Sequence, residues 1–150
     1  MNSIWNTIYD HISTVTGTPF SGHNRSNVGG GCINTACVIQ DPDRAYFVKL
    51  NDADRLDMFT AESAGLEEIA ATATIRVPQP VCCGVVESTA YIVMEYIASA
   101  HNRSNSYKTF GQQLAKLHRF NHQYFGWRLD NTRFYSTDKH LVRQLDQFLA

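Results

Sequence analysis

A single change of period constrains the fold of this 150-residue chain more than any other feature. From Leu56 to Ala73, Leu56, Phe59, Ser63, Leu66, Ile69 and Ala70 line one face of a helix in a segment rich in Ala and Glu. On both sides the pattern is that of strands. Asn34–Gln40 and Arg44–Leu50 flank the turn signal Asp41-Pro42-Asp43-Arg44 and predict an antiparallel hairpin. Val81–Glu87 and Ala90–Tyr96 predict a second hairpin around Glu87-Ser88-Thr89. Within it, Tyr91-Ile92-Val93-Met94 is a continuous apolar run, as in a strand buried on both faces. Val77-Pro78-Gln79-Pro80 forces extended chain between helix and hairpin. With Ser26–Gly29 as a first strand, the parts make a five-stranded antiparallel sheet with one helix packed across it, an α+β fold.

The flanks are helical. Asn2–Thr14 carries Ile4, Ile8 and Ile12 at i, i+4, i+8, with Trp5 beside them, and Thr16-Gly17-Thr18-Pro19 ends it. Ala98–Ser106 is polar and aperiodic, a linker. Tyr107–Phe120 predicts a helix with Phe110, Leu114 and Leu117 on one side, and Leu141–Leu149 a closing helix. The pentapeptide His23–Asn27 recurs as His101–Asn105, but five residues do not make a repeat unit.

Composition excludes several classes. The formal charge is −1, so no basic excess is present to neutralise a phosphate backbone, and nucleic acid is not an expected partner. No stretch reaches the ~18 uncharged apolar residues of a membrane span. Met1–Tyr9 lacks the basic n-region and apolar core of a signal peptide, so a cytoplasmic protein is expected. Cys32, Cys37, Cys82 and Cys83 form no C-x-x-C pair, and reduced thiols are expected. No cysteine or histidine pair has metal-site spacing that would support a zinc site. His118 and His122 stand at i, i+4 without the intervening Glu of a zincin.

One ordered set of residues carries chemistry. Gly29-Gly30-Gly31 precedes the strand lysine Lys49, and Glu62 follows on the helix. A nucleoside triphosphate brings about four negative charges. Glycines without Cβ let backbone amides approach phosphate oxygens, and a strand lysine supplies a compact cation to the α- and β-phosphates. A helix carboxylate must then fix that flexible lysine. Glu62 is the candidate, with Glu67 and Glu68 less well placed. Each part alone has an ordinary reading as a turn, a strand end or a helix surface, and the glycine run is neither G-x-G-x-x-G nor a Walker motif.

The blocks Gly29-Gly30-Gly31-Cys32-Ile33-Asn34, Tyr46-Phe47-Val48-Lys49, Met58-Phe59-Thr60-Ala61-Glu62 and Gly65-Leu66-Glu67 closely resemble the fructosamine-3-kinase (ketosamine-3-kinase) family. The likeness continues through Ile75-Arg76-Val77-Pro78-Gln79-Pro80, Tyr91–Tyr96, Gly111–His118 and Phe125-Gly126-Trp127, covering roughly Gly22 to Asn131. It implies a protein-kinase-like fold shared with aminoglycoside phosphotransferases. It also implies use of ATP and Mg²⁺ to phosphorylate the sugar 3-hydroxyl of ketosamines on glycated amines, which leads to deglycation. By position, Gly29, Gly30, Gly31 and Cys32 would cover the phosphates. Lys49 would contact the α/β-phosphates and Glu62 would pair with it. Met94, Glu95, Tyr96 and Ile97 would form the hinge strand against adenine, with base hydrogen bonds from the backbone of Glu95–Ile97. Cys32 occupies the place of a redox-responsive cysteine found in some members. The implied layout is an upper lobe with its N-terminal helix over residues 1–97, a hinge over 98–106 and the helical start of a lower lobe over 107–150.

The family's lower-lobe H-G-D-x-W-x-G-N catalytic loop and D-P-A metal-binding segment have no counterpart in the sequence, which departs from the family pattern after Thr132. No catalytic base and no Mg²⁺ ligand is therefore expected in this chain, and phosphoryl transfer would need a lower lobe from elsewhere. The competing expectation is a catalytically inactive nucleotide-binding or protein-interaction module, dimeric through Cys32.

Overall fold

The computed structural model describes residues 4–29, 34–98 and 106–120. Their elements are α1 (Ile4–Thr16), β1 (Asn24–Val28), β2 (Thr35–Gln40), β3 (Ala45–Asp52), a 3-10 turn (Ala53–Arg55) leading into α2 (Leu56–Ala71), β4 (Pro80–Val86), β5 (Thr89–Glu95) and α3 (Ser106–Leu117). The strands form one five-stranded sheet in the order β1-β2-β3-β5-β4, with every neighbouring pair antiparallel. Both expected hairpins are present, and β3 pairs with β5 to join them. The α+β expectation holds.

The first strand lies earlier than expected, at Asn24–Val28 rather than Ser26–Gly29. It is an edge strand, exposed along its whole length, so no apolar alternation marks it in the sequence. The expected closing helix, Leu141–Leu149, lies outside the described residues.

The sheet carries a helix on each face, not on one only. Strand alternation divides its side chains between them. On one face Ile8 and Ile12 of α1, fully buried, pack with Cys37, Ile39, Val48, Tyr91 and Val93. On the other face Phe59, Leu66 and Ile69 of α2 pack with Ile75, Val77, Ala90, Ile92, Met94 and Leu117. Phe110 and Leu114 of α3 lie against this second cluster, so α3 joins the α2 face.

Three local devices seat α1. The Ser13 hydroxyl accepts from the Phe20 N–H at 2.8 Å and donates to the Tyr9 carbonyl at 2.8 Å, which turns the chain back after the helix. Gly22 leaves room for Tyr9, whose ring atoms lie 2.5 Å from where a Cβ would stand. The Arg25 guanidinium of β1 sits 4.4 Å above the Trp5 ring and ties the edge strand to the helix. At the β2–β3 turn the Asp41 carboxylate accepts from the Asp43 and Arg44 N–H groups and from the Arg44 guanidinium. Arg44 in turn donates to the Pro19 carbonyl, which fastens this turn to the segment after α1. No helix among the described residues is long and apolar enough to cross a membrane.

Candidate functional site

Lys49 lies on the α2 face of the sheet, because Val48 beside it points into the α1 cluster. Its register partners are Ala36 of β2 and Ile92 of β5. On α2, Glu62 stands between Phe59, one turn before it, and Leu66, one turn after. Both are buried against the sheet, so the helix presents Glu62 toward β3. The Lys49 Nζ donates to Glu62 Oε1 at 2.7 Å, and the two side chains are only 12% and 11% exposed. Of the three glutamates weighed from the sequence, Glu62 is thus the one the helix places on the lysine, while Glu67 is exposed and Glu68 half-buried.

Withdrawing two charges from water is costly, so the pair is weak evidence for a stabilising role. A cation held at one point by a carboxylate is, however, the arrangement that receives a phosphate group with little loss of side-chain freedom.

The glycine run begins directly after β1. Gly29 is exposed, with no atom within 4 Å of where a Cβ would stand, while Gly30, Gly31 and Cys32 lie outside the described residues. Val28 pairs with Ala36, so the connection between β1 and β2 leaves and re-enters the sheet one rung from Lys49. Its downstream end is fastened to β3 by the Asn51 Nδ2, which donates to Asn34 Oδ1 at 2.6 Å.

At the other end of β5, Met94 is fully buried and faces α2, while Tyr96 and Ile97 beyond the strand are 39% and 38% exposed. The Glu95 N–H already donates to the Gln79 carbonyl at 2.8 Å. Backbone groups available to a base are therefore to be sought beyond that N–H. The Glu95 carboxylate is also held, by Arg76 at 2.6 Å and by the Gln79 N–H at 3.4 Å.

The register adds two residues to which the sequence reading assigned no site role, Val38 and Phe47. With Met94 they occupy one rung across β2, β3 and β5, two rungs from that of Ala36, Lys49 and Ile92 and thus the next on that face. They form an apolar row beside the ion pair, on the same face. The signal was present in the sequence: Phe47 is two residues before Lys49 on a strand, and the hairpin register follows from the four-residue turn. Burial holds the thiols of Cys37 and Cys82 above their ordinary range, Cys82 at about 12 with Cys83 adding to the effect. Both therefore carry little thiolate at neutral pH. Among the described residues no group of three or more His, Cys, Asp or Glu is placed to hold a metal ion.

Comparison with known proteins defines the class. Residues 4–140 match the sequence profile of the Fructosamine kinase family. The chain belongs to that family. It is 45% identical over 129 residues to "Probable ketoamine kinase slr1563" of Synechocystis, an alignment covering 85% of this chain and 44% of the relative. It is 39% identical over 109 residues to "Protein-ribulosamine 3-kinase, chloroplastic" of Arabidopsis thaliana, covering 71% of this chain and 33% of that protein. The chain thus spans less than half the length of these relatives. The fold matches the crystal structure of "Putative fructosamine-3-kinase" from Haemophilus somnus 129PT, with a TM-score of 0.74 at 24% identity over 79% of this chain and 40% of that one.

Proposed function

We propose that this chain holds ATP for a ketosamine 3-kinase, as the upper lobe of an enzyme that phosphorylates the sugar 3-hydroxyl of glycated amines. The observation that carries the reading is the largely buried Lys49–Glu62 pair, 2.7 Å long, set one rung from the β1–β2 connection that contains the glycine run. In this reading Lys49 binds the α- and β-phosphates, Glu62 fixes its direction, and Gly29, Gly30, Gly31 and Cys32 cover the phosphates. The apolar row Val38, Phe47 and Met94 roofs the adenine, and the backbone from Glu95 to Ile97 reads its edge. The layout proposed from the sequence follows: residues 1–97 as upper lobe, 98–106 as hinge, 107–150 as the beginning of the lower lobe.

ATP fits the residues present, since a fixed cation and an adjoining apolar surface match a charged tail and a flat base. Mg²⁺ would neutralise phosphate charge during transfer. Its ligands and the catalytic base belong, in this proposal, to lower-lobe segments of the family. The contribution of this chain is binding and orientation, which in phosphoryl transfer supply most of the catalysis.

The test is phosphorylation of a fructosamine by the purified chain, alone and with the lower lobe of a family member added, and with Lys49→Ala as control. The proposal expects turnover only in the complemented sample and none with Lys49→Ala. Turnover that survives Lys49→Ala would refute it. An inactive nucleotide-binding module would bind ATP and give no turnover in either sample.

A further inference from the structure

The segment between α2 and β4 makes contacts that nucleotide binding by Lys49 does not explain. Ile75, Val77 and Pro78 are buried, whereas Arg76 and Gln79 between and after them are exposed. Ile75, Arg76 and Val77 alternate as extended chain does, the pattern slips by one residue at Pro78, and two prolines, Pro78 and Pro80, restrict the segment further. The segment is thus a stiff strap, anchored through Ile75 and Val77 in the α2 cluster.

The outward side of the strap grips a single residue, Glu95. The Gln79 carbonyl accepts the Glu95 N–H at 2.8 Å. The Gln79 N–H donates to Glu95 Oε2 at 3.4 Å, and Arg76 Nη2 donates to Glu95 Oε1 at 2.6 Å. Glu95 is the last residue of β5, and its β3 partner Tyr46 is the last rung of that ladder. Beyond it Tyr96 and Ile97 have no strand neighbour among the described residues and are more than one-third exposed. Where their backbone groups point is set by how Glu95 is held. On the β4 side the ladder is irregular between Pro80 and Cys82, and Pro80 has no N–H to give. The carboxylate contacts of Glu95 act at this weak end of the ladder.

We infer that Arg76, through its ion pair with Glu95, is a positioning residue for recognition of the adenine base by the chain that follows β5. The inference rests on the nucleotide-binding reading above and deepens it by assigning base recognition and phosphate binding to different supports. Lys49 and Glu62 serve the phosphates, and the Arg76–Glu95 strap serves the base. Because Arg76 is 70% exposed, its effect is modest and screened by salt.

The test measures ATP and inorganic tripolyphosphate binding by calorimetry to the wild-type chain, Arg76→Ala, Arg76→Lys and Lys49→Ala. Tripolyphosphate has the charge and no base. Arg76→Ala is expected to weaken ATP binding about threefold to fivefold, the range of an exposed ion pair, with tripolyphosphate unchanged. Arg76→Lys should recover part of the loss, and Lys49→Ala should abolish both ligands. Unchanged ATP affinity in Arg76→Ala, or an equal loss for both ligands, overturns the inference and leaves the nucleotide reading standing. A wild-type chain that binds neither ligand overturns the nucleotide reading and this inference with it.

Discussion

Val48 and Lys49 are neighbours on one strand and belong to two different environments. Val48 is fully buried beneath α1, in a cluster of apolar and aromatic side chains. Lys49 faces α2, where the packing is interrupted by a charged pair. The polar contacts of the α1 face are neutral or lie at its rim, among them the Tyr91 hydroxyl with His11 Nδ1 at 2.7 Å and the Arg25 guanidinium over the Trp5 ring. The α2 face devotes burial to an ion pair that apolar residues of equal volume could replace without loss of stability. The difference separates two tasks within one sheet. One face makes the strand rigid, and the other points a charge from that rigid strand.

The comparison breaks first where burial is deepest. Ile12→Ala removes a fully buried side chain from the α1 face, and chemical denaturation should show a loss of about 2–5 kcal/mol. ATP affinity of the protein that remains folded should be unchanged. On the α2 face the pattern reverses. Glu62→Gln keeps the shape and removes the charge that steers Lys49. Titration calorimetry should show ATP binding weakened about tenfold, or ~1.4 kcal/mol, with a smaller loss of stability than Ile12→Ala.

The smallest effect is acid sensitivity at the β2–β3 turn. Burial alone would raise the Asp41 carboxyl above its ordinary 3.8, but donors from the Asp43 and Arg44 backbone and the Arg44 guanidinium outweigh this and hold it lower. A group depressed in the folded state stabilises it fully above the unfolded value, and the benefit fades as pH falls through the folded value. Denaturation curves should therefore lose stability below about pH 4, and Asp41→Asn should flatten that part of the profile.

Much of this architecture was legible because each central element has a clean period. The run Tyr91–Met94 reads as a doubly buried strand, and it is the centre of both clusters. The face of α2 reads correctly because Phe59, Leu66 and Ile69 recur at helical spacing. The periodicity of α1 shows that Ile8 and Ile12 bury a face, yet it cannot show against what, so the second covered face of the sheet came only with the fold. The edge strand β1 begins two residues before its expected start and ends one residue before its expected end, because Asn24–Val28 is mostly polar and exposed and its strand character comes from pairing with β2. The Arg76–Glu95 contact joins residues 19 apart, from the segment before β4 to the end of β5, with the whole β4–β5 hairpin between them. No local pattern encodes such a pair, since register and the path of the strap decide it together.

The central claim is that the α2 face of β3 binds nucleotide while the α1 face only supports it. Its most direct test is calorimetric ATP binding to the wild-type chain, to Lys49→Ala and to Val48→Ala. The account predicts that Lys49→Ala abolishes binding with the fold intact. It also predicts that Val48→Ala lowers the unfolding temperature and leaves the affinity of the folded protein as it was. ATP affinity that is unchanged in Lys49→Ala would contradict it.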